Sequence, residues 1–179
     1  RNGVDLITYF DTTKFDTKFA AELKNFDPSI YIDKKQIRRM DRFTQFALST
    51  SAQAIDDSRL NLEKIDLERF GVIYGSGIGG IKTFEDQNFN YFTERNPQRI
   101  NPFFITMMIA DIAAGHISIR YGLKGPNYST TSACATASHA IADAFMLIER
   151  GNADLMICGG SEAAITELSR SEEHTSELQ

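Results

Sequence analysis

Two cysteines and three histidines carry most of the nucleophilic and acid–base potential of this 179-residue chain, and one cysteine is set apart by its neighbours. Cys134 lies in "STTSACATASHAI", Ser129 to Ile141, among serines, threonines and alanines too small to build much of a core. A cysteine in such a place is either a small buried hydrophobe or a nucleophile. Ser132, Ala133, Ala135 and Thr136 are all small, which permits the tight strand-to-helix turn that pushes a nucleophile outward. At a helix N-terminus, unpaired amides and the macrodipole lower a thiol pKa and favour the attacking thiolate. A backbone N–H at the same turn can donate to an oxyanion. Cys158, inside "LMICGG", reads instead as a core residue.

The remaining polar patterns are weaker. His139 follows Cys134 by five residues, and five helical steps leave the two side chains about 140° apart, so it reads as structural rather than as the thiol's base. His116, inside the apolar "AAGHISI", reads as a satisfied core histidine. Gly75 to Gly80, "GSGIGG", fits G-x-G-x-x-G and proposes a dinucleotide-binding oxidoreductase. About twenty residues on, however, "NPQRINPFF" stands where an acidic residue should close a strand, and Gly80 is followed by Ile81-Lys82-Thr83 rather than by a phosphate-loop lysine. A lone glycine pattern of this kind is weak evidence. No Cys-x-x-Cys or paired-histidine spacing points to a metal, no cofactor is expected, and two cysteines make no disulfide framework.

The elements that must position Cys134 follow from periodicity and punctuation. Apolar residues Phe43, Phe46, Ala47, Ala54 and Ile55 predict an amphipathic helix over 41–58 behind an Asp41 cap. Gly71 to Tyr74 reads as a short strand entering the glycine turn. Residues 83–95 are helical or irregular, "INPFF" marks a break, and Ile105 to Tyr121 forms one small-residue helix ended by Gly122. In the last third, "NYSTTSA" is a buried strand, "ATASHAIADAFMLIER" a helix with Ala140, Ile141, Ala144, Phe145 and Ile148 on one face, and "ADLMICGG" another buried strand. Strand, turn, helix, strand is a βαβ unit, so the fold class is α/β with parallel strands.

The net charge of −5 argues against nucleic-acid binding, and the one basic cluster is local: Lys34, Lys35, Arg38, Arg39 and Arg42. No apolar run reaches the 18 or so residues that cross a bilayer and nothing at the start reads as a signal peptide, so a cytoplasmic protein without membrane contact is expected. Both ends read as cut. Residues 170–179, "RSEEHTSELQ", hold His174 and lack periodicity; they read as a non-native, adapter-like tail on a domain spanning 1–169.

"GPNYSTTSACATASHAIADAF" resembles the active-site segment of the β-ketoacyl-acyl-carrier-protein synthases, and the resemblance extends through "PFFITMMIADIAAGHISIRYGLKGP", "GSGIGG" and "RRMDRFTQFAL". It is closest to the elongating type II enzymes of fatty-acid synthesis. The resemblance implies a thiolase-like layered α-β-α-β-α fold, incomplete here, with only the N-terminal half present. It implies that Cys134 attacks the acyl thioester of one carrier protein and supplies one oxyanion N–H, and that malonyl on a second carrier loses carbon dioxide and extends the chain by two carbons. The histidines and lysine serving those later steps lie in the family's C-terminal half, so the chain alone should be inactive. Ile109, with Met107 and Met108, would line the acyl pocket. Lys35, Arg38 and Arg39, with Arg99 as a weaker candidate, would dock the acidic acyl carrier protein. The Gly125 to Ala133 strand would pair across a homodimer axis. A polyketide ketosynthase of the same superfamily is the nearest alternative. A cysteine hydrolase lacks a visible base, and a non-catalytic partner subunit would ordinarily lack the cysteine.

Overall fold

The computed structural model describes residues 3–170, which fall into two compact units; residues 171–179, including His174 and all but the first residue of the adapter-like tail, lie outside the described residues. The smaller unit joins residues 3–27 to 164–170. It holds an antiparallel hairpin of β1 (Asp5–Leu6) and β2 (Phe19–Ala20), with Glu22 accepting hydrogen bonds from Thr8 N–H and Oγ–H, both 2.8 Å, and from Tyr9 N–H at 3.2 Å.

The larger unit, residues 28–163, is built on a three-stranded parallel sheet. In chain order it contains α1 (Lys34–Ile37), α2 (Arg42–Ser58), β3 (Phe70–Gly75), α3 (Ile81–Glu94), α4 (Phe104–Met108), α5 (Ile112–Tyr121), β4 (Asn127–Tyr128), α6 (Thr136–Glu149) and β5 (Leu155–Gly160). The strand order is β4-β3-β5. Every residue of β3 is buried, as a parallel strand covered on both faces requires. Phe70, Val72 and Tyr74 point into a core with Phe43, Ala47 and Leu48 of α2 and Ala113, Ala114 and Ile117 of α5. Ile73 points the other way, onto Ala140 and Ala144 of α6. Helices on both faces of a parallel sheet make this the expected α/β architecture.

Local signals account for the boundaries. Asp41 caps α2 through Phe43 N–H at 3.2 Å, and its second oxygen accepts from Thr83 N–H (3.1 Å) and Oγ–H (2.6 Å), which pins the start of α2 to α3. Gly122 ends α5 in the left-handed region at φ +67°, its N–H on Ser118 C=O.

Two expectations are corrected. The helix foreseen over 105–121 is two helices: Ile109 is extended at φ −67°, ψ 138°, and Met108 C=O accepts Gly80 N–H at 2.9 Å instead of continuing the helical ladder. The strand foreseen over 127–133 is laddered only at Asn127–Tyr128, because the threonines beyond it bond into a turn. On α6 the expected apolar face is present: Ala140 and Ala144 are buried with Thr136, and Ile141, Phe145 and Ile148 continue that face at the surface of the described residues.

Candidate active site

Parallel strands end on the same side, so the segments leaving β3, β4 and β5 meet at one edge of the sheet. These are Ser76 to Gly80, Ser129 to Ala135, and Ser161 with Glu162. Cys134 sits in the middle one. It lies within a 3₁₀ turn, Ala133–Ala135, that leads directly into α6, and its side chain is exposed. The thiol therefore precedes the first turn of α6 rather than standing in it.

Side chains of the segment itself hold this turn. Thr136 Oγ accepts from Ser132 N–H (2.9 Å) and donates to Ala133 C=O (2.8 Å), and Thr130 Oγ donates to Thr136 C=O (3.0 Å). Ala133 is forced to φ +48°, uncommon for a residue with a Cβ and characteristic of nucleophile-presenting turns. Among the described residues no acceptor engages the N–H of Cys134, while the next amide, of Ala135, donates to Ser132 C=O at 3.0 Å. His139 does not turn toward the thiol; its Nδ1 shares a 2.6 Å hydrogen bond with Ser132 Oγ, fixing the ring to the segment before Cys134.

The glycine loop after β3 faces this turn. A Cβ added to Gly77 would sit 3.5 Å from Ala133 Cα, and one added to Gly80 would strike Met107 C=O at 2.3 Å. The dinucleotide alternative fails on geometry: the amides of Gly77 and Ile78, which would cradle a phosphate, already donate to a Glu162 oxygen at 2.8 and 3.1 Å. Sequence reasoning missed Glu162. Only the strand register reveals it: Gly75 pairs with Gly160, and two further residues along parallel strands place Glu162 opposite Gly77.

The other foreseen residues lie in two places. Met107 and Met108 are half-buried at the end of α4, against the glycine loop, and Ile109 begins the break that follows, 36% exposed. Lys35, Arg38, Arg39 and Arg99 are exposed; the Arg39 guanidinium lies 4.7 Å over the Phe103 ring, and Arg99 Nε is 3.3 Å from Glu94. Cys158 packs with Ile73, Ala140 and Ala144, where burial pushes its thiol pKa up, and burial of His116 pushes its pKa down. Neither group reads as catalytic. No cluster of three or more potential metal ligands occurs among the described residues, and no described helix is long and apolar enough to cross a membrane.

A strained turn presents Cys134 at the carboxyl edge of a parallel sheet, and comparison places the chain within a family. The profile of the β-ketoacyl synthase N-terminal domain matches residues 4–174, and the chain belongs to that family. It is 47% identical over 167 residues to 3-oxoacyl-[acyl-carrier-protein] synthase 2 of Staphylococcus aureus, covering 93% of this chain and 41% of that protein. The same-named protein of Synechocystis sp. is 47% identical over 169 residues, covering 94% and 40%. The chain thus spans about two-fifths of the length of the curated relatives it matches. Among solved structures it is similar to a β-ketoacyl synthase from Burkholderia phymatum (TM-score 0.81, 27% identity, 99% of this chain and 43% of that one). It is also similar to a type II polyketide ketosynthase complexed with its acyl-carrier protein and bound to the hexaketide (TM-score 0.81, 27% identity, 88% and 45%). The fold is that of the ketosynthases, of which the chain carries less than half the length.

Proposed function

We propose that residues 1–169 are the nucleophile-bearing N-terminal part of an elongating β-ketoacyl synthase of fatty-acid synthesis. The Cys134 thiolate attacks the carbonyl of an acyl thioester, the carrier's thiol leaves, and the acyl group stays on sulfur. Malonyl on a second carrier loses carbon dioxide; the resulting carbanion attacks the acyl-cysteine carbonyl, a carbon–carbon bond forms, and the Cys134 thiolate departs. The Cys134 N–H donates to the oxyanion that develops in both attacks. Met107, Met108 and Ile109 border the acyl chain. Lys35, Arg38, Arg39 and Arg99 steer the carrier protein by charge, a contribution that falls with added salt. The intact enzyme works in the cytoplasm as a homodimer joined along Gly125 to Ala133, without cofactor or metal.

The observation that carries this reading is the exposed Cys134, on a φ-strained turn whose own amide is unengaged among the described residues, in a chain of this family. The likeness to a polyketide ketosynthase supports a second reading, in which the same thioester chemistry builds a polyketide. Intact-mass measurement of the full-length protein after incubation with an acyl thioester tests the nucleophile. A stable acyl adduct that Cys134→Ala abolishes is the expected result. Free acid without a lasting adduct would instead make the site a hydrolase.

A further inference from the structure

Glu162 is absent from the reading above, yet it organises the loop that faces the nucleophile. One of its oxygens accepts from Ser76 Oγ–H at 3.1 Å, and the other accepts from Gly77 N–H at 2.8 Å and Ile78 N–H at 3.1 Å. Ser76 Oγ in turn accepts Gly79 N–H at 3.0 Å. A single carboxylate therefore fixes four consecutive residues, directly or through one hydroxyl, with charge-assisted bonds. Its own backbone is anchored just before it: Ser161 N–H donates to Gly75 C=O (3.1 Å), and Ser161 Oγ–H donates to Phe43 C=O (2.7 Å) at the start of α2.

The loop so held touches the candidate site on two sides. Toward the nucleophile, Gly77 faces Ala133, and Thr131 Oγ–H donates to Ser76 C=O at 3.3 Å. Toward the acyl-pocket candidates, Gly80 N–H donates to Met108 C=O, and Cβ atoms on Gly79 or Gly80 would overlap the carbonyls of Met108 or Met107 at 2.4 and 2.3 Å. The loop is a spacer of backbone thickness between the Cys134 turn and Met107 to Ile109. Without the carboxylate, the amides of Gly77 and Ile78 lose their acceptor and the spacer loses its fixed form.

We infer that Glu162 is a positioning residue, which through the glycine loop sets the separation between Cys134 and the Met107–Ile109 wall and so governs how productively a long acyl group lies beside the thiol. The inference rests on the nucleophile reading of Cys134. Its substrate-side consequence is selective: an extended acyl chain needs the wall in register, whereas a small alkylating reagent needs only the sulfur.

The test compares two probes on the full-length protein: self-acylation by a decanoyl thioester and alkylation of Cys134 by iodoacetamide. Glu162→Ala is expected to slow decanoylation by on the order of tenfold or more, since misplacement of an ångström in a reacting pair costs up to about a hundredfold, while alkylation changes by less than about threefold on the same scale. Glu162→Gln restores decanoylation to near the parent rate, because its amide oxygen still accepts from Gly77 and Ile78 and its amide N–H can donate to Ser76 Oγ. Ser76→Ala removes one limb of the grip; if Glu162→Ala does not fold, Ser76→Ala must show the same selective loss at smaller size. Equal loss on both probes, or none on either, overturns the positioning role. If instead Cys134→Ala still forms the acyl adduct, it is the nucleophile reading that fails.

Discussion

The chain's two cysteines lie at opposite ends of the same chemical choice, and their surroundings rather than their type decide it. Cys158 is held by β5 against Ile73, Ala140 and Ala144, in a sheet ladder paired with β3 through all six residues, and burial disfavours its anion. Cys134 stands beyond the end of its strand, exposed, on a turn shaped by Thr130 and Thr136. A thiol in the ladder is packed on both sides along the strand; a thiol past the strand's carboxyl end is presented to whatever lies above the sheet.

Three measurements break or sharpen this contrast. The largest expected effect is on reactivity: iodoacetamide followed by peptide mapping should alkylate Cys134 at least about tenfold faster than Cys158, as exposure and thiolate access dictate. The ratio is finite because Cys158 also lines a cleft of about 270 Å³ beside Thr50 and Tyr74. Comparable rates at the two sites would erase the distinction. Next in size is tolerance of charge. Cys158→Asp should lower unfolding free energy by about 2 kcal/mol, an uncompensated carboxylate against α6, whereas Cys134→Asp at an exposed turn should stay within about 0.5 kcal/mol by urea denaturation.

The smallest effect is at alkaline pH. The unfolded Cys158 thiol ionises near its ordinary value of 9.0, while the folded one holds its proton to higher pH. The folded state then binds more protons, so this group's contribution is complete below about pH 9 and is lost as pH rises through the folded pKa. Cys158→Ala removes that dependence. The stability difference between parent and variant should therefore shrink as the pH rises above about 9; a constant difference would show that burial does not perturb this thiol.

What was legible in the sequence was what neighbouring residues decide among themselves. The cap at Asp41, the stop at Gly122, the apolar strands β3 and β5 and the small residues around Cys134 each carry their cause within a few positions. The break between α4 and α5 was not legible, because the competitor for Met108 C=O is the amide of Gly80, far back in the chain. Glu162 escaped for the same reason: its partners belong to another strand's loop, and only the β3–β5 register makes them neighbours. On α6 the small residues Thr136, Ala140 and Ala144 let the helix lie close to Ile73, and their helical spacing was legible in the sequence.

The left-handed backbone at Ala133 limits what protein engineering can do beside Cys134. A side chain in that conformation costs about 1 kcal/mol or more, so a branched residue there would twist the turn apart before it could alter any pocket. Glycine would relieve that cost but widen the unfolded ensemble. A library randomised at residue 133 should return chiefly alanine, glycine and asparagine, a selection imposed by torsion angles alone.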